Sequence, residues 1–586
     1  MRTTSIYSLL AACSLAVLTG CGGNSLPAES SDQPNAVSSA EAPALTDAMT
    51  GGSSRSSRDV APAMTVQAAS RFLHQATMGP NMASITALSQ SGPSAWLDAQ
   101  FAKPQTIHRH RLNYLATLQP GVALDDYNLL ESFWGQAAKG DDQLRQRIAF
   151  SLSQIFVIST NEGRVGRYPL GMASYFDMLG ANAFGNFRTL LDGVALHPMM
   201  GLYLSHLRNQ KESGNRLPDE NFAREVMQLF TIGLHELNAD GTLKLSNNAP
   251  IDTYNHDDIM GLAKVFTGWS WSGPDQAPSR FYGSTFTPGA EWTPMQNYPL
   301  FHSTSEKRFL GVTLAGNGSG ADEVKQALDR LFNHPNVGPF IGRQLIQRLV
   351  TSNPSPAYVG RVAAAFNNNG SNVRGDMRAV IRAILLDPEA RATPSTASNT
   401  AHRLREPTLR LANWMRAFEA DSVSRRFLIR RQDDAFLGLA QTPWRAPSVF
   451  NFYRPSFSPP GTSIAANNMV APEMQVTDEA EVTGYLISMQ DIVKHGVGSN
   501  FDVHSFYLPE VALARTPDAL LDRVNLLLLA GQMSPTLRSQ ILAAINSVAI
   551  PVHTDANTVL FDAALRNRVY LAVYLTLVSP EYLVQK

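Results

Sequence analysis

The chain is 586 residues long and 44% hydrophobic, which is enough apolar material to build a sizeable core without metals or disulfides. Its 48 basic and 49 acidic residues leave a formal net charge of −1 with no long basic run, which sets aside a nucleic-acid partner. Charged residues are only 17% of the chain, below the roughly 25% of ordinary soluble domains, so Asn, Gln, Ser and Thr must supply much of the polar surface.

The first predicted element is a cationic start at Arg2, an apolar stretch from Ile6 to Leu18, and small residues at Thr19 and Gly20. This order is that of a secretory signal. A membrane-spanning helix is the rival reading, but the stretch falls short of the ~20 apolar residues such a helix needs. Leu18-Thr19-Gly20-Cys21 resembles the lipobox of bacterial lipoproteins, which implies removal of residues 1–20 and a lipid on Cys21 that anchors the protein to a membrane. Gly22 stands where inner-membrane lipoproteins often carry Asp, so the resemblance implies the outer membrane, on its periplasmic or surface face. Residues 21–66 are small and polar and read as a disordered tether. Cys13 and Cys21 are the only cysteines, so after processing and lipidation no thiol remains for disulfides, metal binding or nucleophilic attack.

Residues 67–586 read as one large, mainly α, multi-helical domain. Leu144, Ile148, Leu152, Ile155 and Phe156 share one helical face, and Val324, Leu328 and Leu331 repeat the spacing. Phe340, Leu345 and Leu349 do the same, as do Met377, Ile381, Ile384 and Leu385. Two stretches break the helical texture. Residues 269–314 alternate Gly, Pro, Ser and aromatic residues and predict an irregular insertion with short strands. Residues 441–476 carry too many prolines for a helix and predict a proline-aromatic loop.

Leu217 to Gly233 predicts a helix with Pro218 in its first turn, Gly233 at its stop, and Phe222, Val226, Leu229 and Phe230 as its buried stripe. Asn221, Arg224, Glu225 and Gln228 form a polar stripe beside it. Two readings stand: Glu225 is a carboxylate oriented by Arg224 and Asn221 for acid/base work or ligand binding, or the stripe is a structural ion-pair and amide ladder. Tyr254 to Trp269 predicts a second helix, capped by Asn255 with Asp258 reaching back. His256-Asp257-Asp258 has the residue types of a metal site, but adjacent helical residues diverge and no second cluster pairs with them, so no metal is assigned. Gly316 to Gly320 lacks the residues of a phosphate loop, no cofactor fingerprint occurs, and no serine sits in a Gly-x-Ser-x-Gly elbow.

Ala69-Ser70-Arg71-Phe72-Leu73-His74-Gln75-Ala76-Thr77-Met78-Gly79-Pro80, the Asn221 to Gly233 helix, Phe266-Thr267-Gly268-Trp269, His334 to Ile341, Arg374-Gly375-Asp376-Met377 and Ala446 to Pro455 together resemble the bacterial domain-of-unknown-function 1800 family. The resemblance spans residue 68 to the C-terminus. It implies a secreted, mostly helical protein, often encoded beside a second secreted family, domain of unknown function 1501, and it brings no activity. Many relatives resemble Trp-His-x-His-Phe where this chain has Ser151, Leu152, Ser153, Gln154 and Ile155. Where His302 and Lys307 match a His-Asp-x-Gly-x-Lys pattern, Ser303 and Ser305 replace its Asp and Gly. Both departures count against metal-assisted hydrolysis.

In the proline-aromatic loop, Trp444 and Tyr453 could present ring faces to a sugar or peptide, with Arg445 and Arg454 for an anionic group. The alternative is a loop fixed across the core by its rings. Two functions follow as expectations. The first is an envelope binding or assembly protein acting with a secreted partner of the unknown-function 1501 type, with a polysaccharide or peptide ligand at Asn221, Trp444, Arg445, Tyr453 and Arg454. The second is a hydrolase-like envelope enzyme using Glu225 or Asp258 with Arg224 and His302.

Overall fold

A computed structural model describes residues 64–118, 120–392 and 402–585. The expected signal, the expected lipidation site Cys21 and nearly all of the expected tether lie outside the described residues. Pro62–Lys586 form one compact unit, and its described part is mainly α-helical, with only two-stranded sheets of two or three residues per strand. Among the described residues, no helix is long and apolar enough to cross a membrane.

Three helices sit at the centre: Gln143–Ser153, Val337–Leu349 and Pro407–Ala417. The predicted faces lie in the core except at Phe340, which is half-buried: Leu144, Ile148, Leu152, Leu345 and Leu349 are fully buried, as is Leu411 on the third helix. These helices are buried on nearly every side, including at Arg145, Arg147, Gln344, Arg348, Arg410 and Arg416. Buried polar groups require partners inside the protein. Much of the architecture therefore consists of arginines reaching the carbonyls of neighbouring segments: Arg416 Nε donates to Gly79 O at 2.5 Å, and Arg145 donates to Gly180 O at 3.0 Å.

Around this centre, Val337–Leu349 packs on Pro356–Asn367, which in turn packs on Met377–Leu385. On another side, Pro517–Leu529, Pro535–Asn546 and Thr558–Leu577 form a C-terminal group, and the first of them receives the Val66–Ala76 helix. That first helix starts on Thr65, whose side chain accepts from Ala68 N.

The predicted helix at Leu217–Gly233 is shorter than expected and runs Asn221–Gln228. Pro218 lies outside it, because Asp219 and Asn209 exchange hydrogen bonds that tie the approach to a neighbouring loop. The chain leaves the helix through a turn in which Gly233 N donates to Met227 O. The second helix, His256–Val265, has the predicted cap: Asn255 accepts from Asp258 N while Asp258 Oδ2 accepts from Asn255 N.

The irregular insertion contains a short helix, Pro278–Phe281, a pairing of Trp269–Ser270 with Gln296–Asn297, and a hairpin, Lys307–Phe309 with Val312–Leu314. The hairpin turns through Leu310 at φ 47° and Gly311 at φ 75°, the left-handed pair that a two-residue turn demands. Leu310 pays for that conformation with help from Asp258, whose Oδ1 accepts Leu310 N–H at 2.6 Å. The hairpin rests on the second helix at Gly261, where an added Cβ would lie 1.7 Å from Arg308 O. Gly261→Ala is therefore expected to destabilise the protein by about 1–3 kcal/mol through overpacking. Gly360→Ala, in a helix with ordinary contact distances, is expected to stabilise by about 0.5–1 kcal/mol. Paired denaturant titrations check both signs.

Candidate functional site

Asn221 is exposed at the first helical position and reaches Ser205 Oγ at 3.4 Å. Arg224 pairs with Glu220 at 3.1 Å, one turn earlier on the same face. Glu225, its neighbour, is buried, and its Oε2 has no hydrogen-bond partner. Burial pushes the Glu225 carboxyl above its ordinary pKa, and Arg224 only partly offsets this. Two phenols share its surroundings. Tyr203 is pushed up to about 12 by burial and by Glu162 and Glu225, and Tyr254, raised mainly by burial, donates to Gln228 Oε1 at 3.3 Å.

Asp258 and His302 do not join this group. Both carboxylate oxygens of Asp258 are engaged, one in the cap and one at the Leu310 turn. His302 is buried, with Nδ1 2.8 Å from Thr267 O and Nε2 2.9 Å from Glu323 Oε2. Lys307 Nζ, fully buried, lies 2.9 Å from each Glu323 oxygen and donates to the Ser303 and Ser305 carbonyls. This cluster ties the insertion to the Gly320–Phe332 helix. Ser303 and Ser305 both donate to Glu212 Oε1. Among the described residues, no group of three or more His, Cys, Asp or Glu side chains is placed to hold a metal.

In the proline-aromatic loop the rings face inward. Trp444 is stacked on Phe176 at 4.0 Å, with Phe133 and His108 edge-on at 5.4 and 5.0 Å. Tyr453 is buried, and its hydroxyl donates to Glu406 Oε2 at 2.9 Å. Arg445 is held by Asp126 at 3.2 Å and Asp433 at 3.1 Å. Arg454 is exposed and lies over Phe450.

Beneath the loop lies a feature that the sequence reading missed. Arg147, Arg348, Arg403, Glu406 and Glu473 converge in the interior, all at most 4% exposed. Arg403 grips Glu473 Oε1 at 2.7 and 3.0 Å and lies 3.5 Å from Glu406. Arg147 and Arg403 both donate to the Arg348 carbonyl, and Arg348 donates to Gln154 O at 3.1 Å. Glu406 Oε2 accepts three donors: Gln154 at 2.5 Å, Gln441 at 2.8 Å and Tyr453 at 2.9 Å. Burial pushes Glu406 up, but Arg403 and Arg147, with the Gln441 and Tyr453 bonds, outweigh it and hold its carboxyl below the ordinary range. Burial dominates at Glu473, which is raised, and lowers Arg147 to about 10.

Gln154 and Gln441 also line a small pocket that opens to solvent under the loop. Phe150, Pro443, Trp444 and Phe452 give it apolar walls, and Asn451 adds a third amide. Because Gln154 gives its Nε2 to Glu406, its buried Oε1 is left without a partner, and Asn451 Nδ2 likewise has none. The residues that line the pocket therefore carry one unsatisfied acceptor and one unsatisfied donor, both buried.

The fold and these sites define a large helical protein with an ionic cluster in its interior and a small amphipathic pocket above it. The chain belongs to the family described as Protein of unknown function (DUF1800), whose model matches residues 71–584. No curated protein and no solved structure matches it. One segment that carries the resemblance, Ala446 to Pro455, meets at this pocket the segment around Gln154, where the chain departs from the family pattern.

Removing one member of a buried ion cluster leaves the others uncompensated, at a cost of about 3–5 kcal/mol. Glu406→Gln is expected to lose stability on that scale at neutral pH. Since the folded pKa of Glu406 is depressed, its contribution is present above the ordinary carboxylate pKa and is lost as pH falls through the lower folded value. The gap between variant and parent should therefore close in acid, which urea titrations across pH will show.

Proposed function

We propose that the protein is a lipid-anchored binding protein of the bacterial cell envelope, and that its ligand enters the pocket under the proline-aromatic loop. The observation that carries this reading is the pair of unsatisfied amide groups, Gln154 Oε1 and Asn451 Nδ2, in an aromatic-walled pocket. Leaving a buried amide unpaired costs about 1–3 kcal/mol, which a ligand recovers by offering a donor and an acceptor together. Such a ligand is neutral and bears amide or hydroxyl groups, as acylated sugars and peptides do. A secreted partner of the unknown-function 1501 type fits the same role.

The distribution of the other candidates supports binding over catalysis, since Asp258 and His302 are both taken up by structural bonds and do not meet Glu225. One observation favours the enzyme reading: Glu225 has a free, buried oxygen and a raised pKa beside two phenols. Its raised folded pKa means that the ionised carboxylate costs stability above that value and costs nothing below the ordinary one. Glu225→Gln should thus be at least as stable as the parent at pH 7.5, with no gain at pH 4. If that stable variant abolishes the biological phenotype, the enzyme reading stands; if the phenotype persists, it fails.

For the binding reading, Asn451→Ala and Gln154→Met are expected to weaken capture of N-acetylated oligosaccharides or peptides at least about tenfold, or about 1.4 kcal/mol. Glycan and peptide arrays followed by titration calorimetry measure this, and unchanged affinity would reject the pocket. For the anchor, Cys21→Ser should move the protein from the membrane fraction to the soluble envelope fraction, as fractionation and immunoblotting will report.

A further inference from the structure

A second, small cleft opens between the Val66–Ala76 helix, the turn after Pro517–Leu529 and the short helix Pro580–Leu583. Arg71, His74, Arg405, Gln532 and Glu581 line it, with apolar side chains between them. Arg405 is buried, donates to Leu528 O at 3.1 Å and lies 4.5 Å over the Tyr582 ring. Its Nε has no partner, and among the described residues no carboxylate forms an ion pair with it. The nearby Arg391 guanidinium stacks on Phe72 and donates to Gln75, again without an acidic partner. The one carboxylate in the lining, Glu581, is occupied by Ser534, accepting from both its N–H and its hydroxyl. A buried guanidinium with no counter-charge is costly, so the cleft calls for an anion.

His74 narrows the choice. The Leu527 backbone takes a hydrogen bond from its ring, while Nε2 is buried without a partner. Burial and the neighbouring Arg405 hold the ring's pKa well below its usual value, so the imidazole is neutral and Nε2 is an acceptor. The charged groups that face it are Arg71 from its own helix, Arg405, and Glu581 from the C-terminal turn. A ligand that satisfies both orphans must present anionic oxygen to Arg405 and a hydroxyl proton to His74. Inorganic phosphate carries both in either of its forms near neutrality, whereas its monoesters carry both only as the monoanion, the minor form at pH 7.5 because their second ionisation lies at about pH 6. Sulfate, carboxylates and phosphodiesters are anionic at neutral pH but have no acidic proton to give.

We propose that this cleft is a binding site for a protonated phosphate group, with Arg405 Nε–H and the Gln532 amide donating to its oxygens and its hydroxyl donating to His74 Nε2. The site is separate from the pocket under the proline-aromatic loop and does not depend on it.

The test titrates the full chain at pH 7.5 and constant ionic strength with inorganic phosphate, glycerol 3-phosphate, sulfate and acetate, using calorimetry and thermal unfolding. Phosphate is expected to bind saturably and raise the unfolding temperature, whereas sulfate and acetate act no differently from chloride. Competition by glycerol 3-phosphate in a parallel titration at about pH 6, where much of it is the monoanion, assigns the site to phosphate monoesters, and failure to compete there assigns it to free phosphate. Gln532→Glu, at the half-buried rim, should weaken phosphate at least tenfold, and its carboxylate, as a counter-charge for Arg405, should hold the unfolding temperature without phosphate at or above that of the parent. The proposal is overturned if phosphate gives no saturable effect beyond chloride, if sulfate matches it, or if Gln532→Glu binds phosphate as the parent does.

Discussion

The structure depends on how five ionised side chains are accommodated where no water reaches. Arg147, Arg348 and Arg403 bring three positive charges into the interior, and Glu406 and Glu473 bring two negative ones. Their mutual attraction must match a desolvation penalty of several kcal/mol per ion, and it does so only because carbonyls, amides and a phenol complete the coordination. The members of this cluster come from four stretches of chain: the Gln143–Ser153 and Val337–Leu349 helices, the segment from Arg403 to Glu406 at the start of the Pro407–Ala417 helix, and the end of the proline-aromatic loop. The cluster therefore fixes the helices relative to one another more sharply than apolar contact would.

Glu406 links this interior to the surface. By taking Nε2 of both Gln154 and Gln441, it decides which end of the Gln154 amide is left over at the pocket. The Gln154–Glu406 bond spans 252 residues, so the chemistry offered at the pocket is set by the tertiary fold. The insertion is held by the same device on a smaller scale, with His302 and Lys307 closing on a buried Glu323. In both places a carboxylate with no exposure to speak of organises donors from distant segments.

How much of this was legible in the sequence follows from the range of the interactions. The Asn255–Asp258 cap, the buried stripes of the central helices and the irregular insertion are local or periodic and are present in the structure, while the proline-aromatic loop departs from its expectation only in a four-residue helix, Ser463–Ala466, and a 3-10 turn, Pro472–Val476. The Asn221–Gln228 helix was read too long because Asp219 is held by Asn209, a bond between loops. The inward turn of Trp444 depends on Phe176, Phe133 and His108, none of them near it in sequence. The buried cluster was out of reach because arginines and glutamates look the same on an exposed face as on a helix enclosed on all sides. Its one local trace, the run Arg403-Leu404-Arg405-Glu406 ahead of Pro407, is an ordinary helix start by composition. Gln154 drew notice only as a departure from the family pattern, and it marks the pocket floor.

The central claim is that Glu406 remains an ionised carboxylate inside the protein and orients the pocket amides from there. Carbon-13 NMR of side-chain-labelled glutamates, with Glu406 assigned by comparison with Glu406→Gln, reads its ionisation directly as pH is lowered. The account predicts a resonance that stays in the ionised position through the pH range where ordinary carboxylates protonate. A resonance that titrates at or above that range would mean a neutral Glu406 and would contradict the arrangement on which the pocket depends.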